Sequence, residues 1–143
     1  MGTVVALAGQ IGGAKLAHGL ARLRGRNLAV IVNTGDDSEV LGLSISPDVD
    51  TMLYTLSGVA NPFRGWEPVD ETFSFHDMVK HLGWALRSPI GDRSLAMPVL
   101  RAQALREERR LTEITQDFAR ALGIEARVLP MSDDPVRTQL ITE

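Results

Sequence analysis

Closely spaced aspartates are the residues of this sequence best suited to chemistry, and they occur in three short segments. The first segment is Asn33-Thr34-Gly35-Asp36-Asp37, the second holds Asp48 and Asp50, and the third holds Asp133 and Asp134. Mg²⁺ prefers one or two carboxylate ligands together with waters and substrate phosphates. The pattern predicts a divalent metal site beside a diphosphate. The simpler alternative is that each aspartate forms a turn or complements a helix dipole.

A glycine-rich segment, Gly9-Gln10-Ile11-Gly12-Gly13, lies between an apolar run and a helical pattern. Small residues at such a junction let backbone amides and a helix N-terminus approach a phosphate. Lys15 follows at the end of the segment, where it can meet the same anion. The spacing matches neither G-x-G-x-x-G nor a Walker loop. We interpret Gly9, Gly12, Gly13 and Lys15 as a nucleotide or phosphate site, with a purely structural turn as the alternative.

The remaining polar residues carry weaker signals. His18, His76 and His81 do not share a metal-ligand spacing, and Ser46 and Ser94 have no visible base partner. A basic block predicts either a solvated helix face or a cationic wall for an anionic ligand. It consists of Lys80, Arg87, Arg93, Arg101, Arg106, Arg109 and Arg110.

Strands that alternate with helices must position these residues. Apolar runs at 4–8 and 28–32 predict buried parallel strands, joined by a helix over 14–24 that ends at Gly25. Ser46 as N-cap and Pro47 predict a helix to about Ser57 or Gly58. Further helices are predicted from 74 to 83 with a Ser74 and Asp77 capping box, from about 98, and over 112–122, with strands at 124–129 and 137–142.

This alternation indicates an α/β fold, in which ligands bind beyond the carboxyl ends of the strands. Two of the aspartate segments follow predicted strands, and Asp48 and Asp50 lie at the start of a predicted helix, so we expect these side chains to converge at one edge. Asp48 and Asp50 are two residues apart on a predicted helix, and their side chains therefore point about 200° apart. At most one of them should face the site directly.

The composition excludes several classes of protein. The chain has 143 residues, a mass of 15.6 kDa, a net charge of −3 and no cysteine. Thiolate zinc sites, iron–sulfur clusters and disulfides are therefore excluded, and there is no basic footprint for nucleic acid. The apolar runs are too short to span a membrane, and no signal peptide is visible. We expect a single cytoplasmic domain over residues 1–143.

Taken together, the motifs resemble the 2-phospho-L-lactate transferase family. The resemblance spans nearly the whole chain and rests most specifically on the Asn-Thr-Gly-Asp-Asp and Ser-Pro-Asp-x-Asp-Thr segments. The motifs are Gly12-Gly13-Ala14-Lys15-Leu16-Ala17, residues 33–37, Gly42-Leu43, residues 45–51, Tyr54-Thr55-Leu56, Gly65-Trp66, Glu71-Thr72, Gly91-Asp92-Arg93 and residues 130–134. The resemblance implies a Rossmann-like three-layer α/β/α fold with a mainly parallel sheet, of which this chain is the N-terminal part.

The resemblance also implies an activity in the biosynthesis of the deazaflavin coenzyme F-420. Such enzymes move a phospholactyl or phosphoenolpyruvyl group from a guanosine diphosphate carrier to the hydroxyl of the deazaflavin alcohol Fo, releasing GMP with the aid of Mg²⁺. By this resemblance the metal ligands are Asp36, Asp48 and Asp50, and the catalytic residues are Asp36, Asp37 and Asp48. The substrate-binding residues are Gly9, Gly12, Gly13, Lys15, Asn33, Thr34, Asp92 and Arg93.

Two departures from the family pattern leave an alternative open. Gln10 stands where the family usually has glycine, and Ser94 stands where it usually has aspartate. These two residues favour an alternative function. In that case the protein is a regulatory relative that binds a nucleotide or nucleotide-sugar, like the gluconeogenesis-factor branch. Because the last predicted strand would be left unpaired at the sheet edge, we expect it to be covered either by a further part of a longer chain or by the partner in a homodimer.

Overall fold

The computed structural model describes residues 2–139 and Ile141, which form an α/β fold. The strands are β1 (Val4–Ala8), β2 (Leu28–Val32), β3 (Ser38–Val40), β4 (Leu43–Ile45) and β5 (Arg127–Pro130). The helices are α1 (Gln10–Arg24), α2 (Pro47–Ser57), α3 (Ser74–His81), α4 (Ala96–Arg106) and α5 (Leu111–Ala121), and a 3-10 turn covers Gly25–Asn27. Among the described residues, no helix is both long and apolar enough to cross a membrane.

The central sheet is parallel, with the strand order β1-β2-β5. Ala6 pairs with Val30, and Val30 pairs with Val128, so these three side chains form one row across the sheet. β3 and β4 form a separate antiparallel hairpin. The predicted α/β fold with a mainly parallel, Rossmann-like sheet is confirmed, as are the exact bounds of β1 and β2.

Helices cover one face of this sheet. The row Ala6, Val30 and Val128 belongs to a buried core with apolar residues of the three helices that contact the sheet: Ala14 and Ala17 of α1, Val49, Met52 and Leu53 of α2, and Ala119 of α5. Side chains alternate along a strand, so Val5 and Leu7 point to the other face. They are 59% and 77% exposed. Within the described residues, the outer face of β1 is open.

The glycine-rich segment is not an extended loop. α1 begins at Gln10, directly after Gly9, and the Gly13 amide donates to the Gly9 carbonyl at 3.1 Å. Gly12 and Gly13 therefore lie in the first turn of the helix. Only Gly9 separates the end of β1 at Ala8 from the start of α1 at Gln10. A Cβ on Gly13 would lie 2.9 Å from the Ala8 Cβ, so this glycine allows α1 to start close against the end of β1.

Several predicted element ends were wrong. Phe73 occupies the N-cap of α3, so Ser74 and Asp77 form no capping box, and the helix ends at His81. The other shifted elements are α4, which begins before Pro98 at Ala96, α5, which covers 111–121, and β5, which covers 127–130. Residues 137–139 and Ile141 form no strand, and the rest of that predicted strand lies outside the described residues.

The predicted start of α2 was correct, but its capping differs. Ser46 is the N-cap residue, Pro47 is the first helical residue and Gly58 ends the helix with a φ of 78°. The Ser46 hydroxyl makes no cap hydrogen bond to the helix. It donates instead to the Asp37 Oδ2 at 2.8 Å, and so links α2 to the segment after β2.

Candidate functional site

The side chain of Asn33 joins two of the three aspartate segments. Asn33 directly follows β2, and its amide donates to the Ala8 carbonyl at the end of β1. Its side-chain Nδ2 donates to Asp48 Oδ2 at 2.9 Å and to Asp36 Oδ2 at 3.2 Å. Its Oδ1 accepts from the Gly35 amide at 3.0 Å. Every polar atom of the Asn33 side chain therefore has a partner, and both carboxylates are held at the carboxyl end of β2.

Gly9 brings the end of β1 into the same cluster. A Cβ at this position would lie 2.9 Å from Asp48 Oδ2 and 3.3 Å from Asn33 Cβ. The backbone φ of Gly9 is −150°, which any residue can adopt. Close approach, and not backbone conformation, is therefore what Gly9 provides. The structure thus brings together Gly9, Asn33, Asp36 and Asp48.

Asp37 lies in a more enclosed position beside this cluster. Its Oδ2 accepts from Ser46, whereas its Oδ1 is buried without a hydrogen-bond partner among the described residues. Burial raises the pKa of Asp37 to about 6, although the Ser46 hydrogen bond and the Arg101 charge act in the opposite direction. At neutral pH such a carboxylate is ionised and close to its pKa, which suits a group that accepts a proton.

Asp50 is oriented away from Asn33. Both of its oxygens accept from the guanidinium of Arg101, and Asp50 is only 8% exposed. Burial raises the pKa of Asp50, and the Arg101 charge and hydrogen bonds oppose that effect. Because Arg101 already occupies this carboxylate, Asp50 is less suited to hold a metal than Asp36 or Asp48.

The sequence pattern placed Arg101 in the basic block, interpreted as either a solvated helix face or a cationic wall, and its burial shows that Arg101 does not lie on a solvated face. It is 0% exposed, and its Nη1 also donates to the Ser44 carbonyl at 2.9 Å. The sequence pattern contained a signal for it, since Met97 and Ala104 lie four residues before it and three after it on α4 and are both buried. A charged residue on the apolar face of a helix requires a buried partner.

Asp92 and Arg93 form a second, separate assembly. Asp92 accepts from the Thr72 hydroxyl at 2.5 Å and from the amides of Ser74 and Phe75 at 3.1 and 2.8 Å. These hydrogen bonds lower the pKa of Asp92 and satisfy the N-terminus of α3. The Arg93 guanidinium donates to the Val69 carbonyl at 3.0 Å. Asp92 thus joins Thr72 and the start of α3 by hydrogen bonds within the chain.

Glu71 completes this assembly, and the sequence analysis assigned it no role. It accepts from the amides of Arg93 and Ser94 at 2.7 and 2.9 Å and from the Ser94 hydroxyl at 2.5 Å. Any Cβ at Gly91 would overlap the Glu71 carboxyl group. Glu71 and Asp92 therefore hold residues 71–75 and 91–94 together in a reciprocal arrangement.

Comparison with known proteins identifies the family. The family model described as 2-phospho-L-lactate transferase CofD matches residues 4–143. The chain belongs to this family. The 2-phospho-L-lactate transferase of Methanocaldococcus jannaschii is 38% identical over 141 residues, which are 98% of this chain and 45% of that protein.

Of two further relatives, one is also a 2-phospho-L-lactate transferase and the other is a phosphoenolpyruvate transferase. The 2-phospho-L-lactate transferase of Methanopyrus kandleri is 41% identical over 138 residues, which cover 96% of this chain and 44% of the relative. The phosphoenolpyruvate transferase of Kitasatospora aureofaciens is 39% identical over 143 residues, with the same coverage of 96% and 44%. The chain thus spans less than half the length of these relatives.

Of the two departures from the pattern of the 2-phospho-L-lactate transferase family, Ser94 has a local explanation and Gln10 does not. Gln10 is exposed and has a φ of 53°, a backbone region that glycine adopts without strain. Ser94 donates its hydroxyl to Glu71, which an aspartate could not do when ionised. Within the described part of the chain, neither side chain makes a hydrogen bond to Asn33, Asp36 or Asp48.

In this family member Lys15 lies apart from the carboxylates, whereas the Thr34 carbonyl accepts from the Asp37 amide at 3.1 Å. Lys15 lines a cavity of about 250 Å³ with His18, Thr55, Gly58 and Ala60, at the C-terminal end of α2. Asp48 lies at the opposite, N-terminal end of that helix. Thr34 is buried, and its hydroxyl has no hydrogen-bond partner within the described part of the chain.

The donor set around Asn33 fits Mg²⁺ with substrate phosphates as additional ligands. The described residues contain no group of three side chains arranged to hold a metal alone. Asp36 and Asp48 nevertheless both accept hydrogen bonds from the side-chain amide of Asn33. Mg²⁺ commonly takes one or two carboxylate ligands, with phosphate oxygens completing its coordination shell. A metal at this position would therefore need ligands besides Asp36 and Asp48.

Proposed function

We propose that this chain provides the donor-binding and metal-binding part of a Mg²⁺-dependent transferase. The reaction moves a 2-phospholactyl or phosphoenolpyruvyl group from a guanosine diphosphate carrier to the hydroxyl of the deazaflavin alcohol Fo. Membership of the family and the names of its relatives support the class of transferred group. The observation that carries the metal-dependent chemistry is the Asn33 amide, which holds Asp36 and Asp48 side by side.

In the proposed reaction, the acceptor hydroxyl oxygen forms a bond to the phosphorus that carries the three-carbon acid. The bond between that phosphorus and the oxygen of the GMP leaving group breaks, and the hydroxyl proton must reach a base. We assign Asp37 as this base, because its Oδ1 is buried without a partner among the described residues and its pKa is about 6. Asn33 keeps the neighbouring carboxylates in place for this step.

Asp36 and Asp48 are the residues that would hold Mg²⁺. When bound, the ion supplies positive charge that neutralises the phosphate oxygens of the donor. The protein itself contributes rigid placement of the two carboxylates, since each accepts from the same amide nitrogen. Placement and neutralisation are the main requirements of phosphoryl transfer.

We assign the diphosphate of the donor to the N-terminus of α1. The first amides of a helix lack internal partners and attract anions. α1 begins at Gln10, immediately after Gly9, and a Cβ on Gly12 would meet no atom within 4 Å. This open surface over the first turn, next to Asp48, gives a phosphate room to approach the helix backbone.

Calorimetric titration of the 143-residue chain with GDP, with and without Mg²⁺, tests this proposal directly. We expect binding that strengthens when Mg²⁺ is present. Binding under neither condition would overturn the proposal, and binding of a UDP-sugar but not GDP would favour the regulatory alternative. A second assay mixes Fo with phospholactyl and phosphoenolpyruvyl donors and identifies the transferred acid by mass spectrometry.

We also propose a homodimer that buries the open face of β1. Val5 and Leu7 are apolar and are 59% and 77% exposed on that face. Leu7 pairs in register with Ile31, and Ile31 with Leu129, so the exposed leucine begins an apolar row across the sheet. Contiguous apolar surface of this kind is commonly covered by another chain.

A further inference from the structure

The guanidinium of Arg101 holds both sides of the turn that leads into α2. Its Nη1 donates to the Ser44 carbonyl at 2.9 Å, on β4 before the turn. The same nitrogen lies 3.3 Å from Asp50 Oδ2, and Nη2 donates to Asp50 Oδ1, after the turn. Residues 45–49, which include Asp48, are therefore enclosed between two attachment points of one rigid planar group.

The burial of this ion pair carries a desolvation cost. Arg101 is 0% exposed and Asp50 is 8% exposed, so both charges are removed from water. A buried ion pair often stabilises a fold no better than apolar residues of similar volume. Stability alone is therefore a weak explanation for placing a guanidinium here, and the specific orientation that it imposes is a stronger one.

The orientation of α2 determines where Asp48 points. Asp48 and Asp50 are two residues apart, so their side chains project about 200° from each other around the helix axis. A group that anchors Asp50 on one side sets the rotation of the first turn and directs Asp48 to the other side. On that side Asp48 reaches the Asn33 Nδ2 at 2.9 Å, where the absence of a Cβ on Gly9 leaves room for its carboxylate.

We propose that Arg101 is a positioning residue: by holding Asp50 and the Ser44 carbonyl, it directs the Asp48 carboxylate to Asn33. In this proposal Arg101 acts through Asp50 and Ser44 and not through a contact of its own with metal or substrate. The functional consequence rests on the proposed Mg²⁺-dependent donor site, whereas the effect on the Asn33 hydrogen bond does not. A displacement of about 1 Å in such a group can reduce function about a hundredfold.

Two sets of variants separate positioning from stability. The double variant D50L/R101M replaces the buried ion pair with apolar side chains of similar size, which commonly preserves folding. The single variant R101K keeps the positive charge but loses the planar guanidinium that donates to both the Ser44 carbonyl and the Asp50 carboxylate. The same measurements on both variants keep the inference testable even if one of them does not fold.

Three measurements are made on each variant: the melting temperature, the Asn33 side-chain amide signals in a ¹⁵N–¹H spectrum, and the affinity for GDP with Mg²⁺. We expect D50L/R101M to melt within a few degrees of the wild type, with displaced Asn33 signals and about tenfold weaker binding. R101K should show the same changes to a smaller extent. Asn33→Ala identifies the amide signals.

Unchanged Asn33 signals in a folded D50L/R101M or R101K variant would overturn the inference. Displaced signals with wild-type GDP affinity would also overturn it, because the orientation of Asp48 would then have no consequence for the ligand. If the wild-type chain itself fails to bind GDP, the proposed function fails. In that case the Asn33 signals alone decide whether Arg101 positions Asp48.

Discussion

The Nδ2 atom of Asn33 lies 2.9 Å from the Oδ2 atom of Asp48 and connects the end of β2 to the first turn of α2. Fifteen positions separate the two residues in the chain. The same nitrogen also holds Asp36. One neutral amide thus keeps two carboxylates close together, at a distance where their mutual repulsion favours a bound cation.

Removing the charge of Asp48 should weaken the binding of nucleotide more than it weakens the fold. In Asp48→Asn, an amide oxygen can still accept from Asn33, but the negative charge that the proposed Mg²⁺ site requires is lost. We expect about tenfold or greater loss of GDP affinity in the presence of Mg²⁺, measured by calorimetry, and a small change in melting temperature. Asp77→Asn, an exposed change on α3, is the matched control. Equal binding by the two variants would contradict the assignment of Asp48.

Adding a methyl group at Gly9 should disturb the hydrogen bond between Asn33 and Asp48. The new Cβ in Gly9→Ala would meet Asp48 Oδ2 at 2.9 Å, and the carboxylate can move away by rotation. We expect a folded protein with about tenfold weaker Mg²⁺-dependent GDP binding. Gly19→Ala is the control, because its Cβ would meet nothing within 4 Å. Gly19→Ala should raise the unfolding free energy by about 0.5–1 kcal/mol and leave GDP binding unchanged. Unaltered GDP binding by Gly9→Ala would contradict a close approach between Gly9 and Asp48.

Truncation of Asp92 should reduce stability without an effect on nucleotide affinity. Asp92→Ala removes the acceptor for the amides of Ser74 and Phe75 at the start of α3. We expect the melting temperature to fall by a few degrees in thermal unfolding. The GDP titration serves as the second readout. A loss of GDP affinity at unchanged stability would restore Asp92 as a substrate-binding residue.

The titration of Asp37 should be visible in the pH dependence of stability. Because the pKa of Asp37 is raised to about 6, the folded state holds this proton more tightly than the unfolded state does. Its stabilising contribution is complete below about pH 4 and is lost as the pH rises through about 6. Urea unfolding in the presence of a chelator should therefore show that Asp37→Asn gains stability relative to the wild type between these pH values. An identical pH profile for the two proteins would show that Asp37 has an ordinary pKa.

A charge on the open face of β1 should separate the proposed dimer. Leu7 is 77% exposed on that face, and Leu23 is 79% exposed on α1. Light scattering after size-exclusion chromatography should find a dimer for the wild type and for Leu23→Glu, but a monomer for Leu7→Glu. A monomeric wild type, or a dimer that persists in Leu7→Glu, would contradict burial of this face.

The sequence pattern predicted the parts of this protein that depend on neighbours along the chain. Continuous apolar runs indicated β1 and β2 with exact bounds, because strands buried in a parallel sheet contain few polar residues. Pro47 and Gly58 marked the ends of α2 for equally local reasons. The start of α3 near Ser74 was also predicted correctly. Its capping and the bounds of β5 were wrong, since they depend on contacts with distant segments, such as that of Asp92 with the amides of Ser74 and Phe75.

The sequence by itself determined the fold class, the family and the acidic segments that follow the strands. Only the tertiary structure decided which acids share a site, because hydrogen bonds between Asn33, Asp36 and Asp48 depend on how β2 and α2 meet. It also assigned Asp50 to Arg101, 51 positions away, where the low polarity of the interior requires every charge to have a partner. Spacing along a helix showed that Asp48 and Asp50 diverge. Packing determined which of the two faces the site.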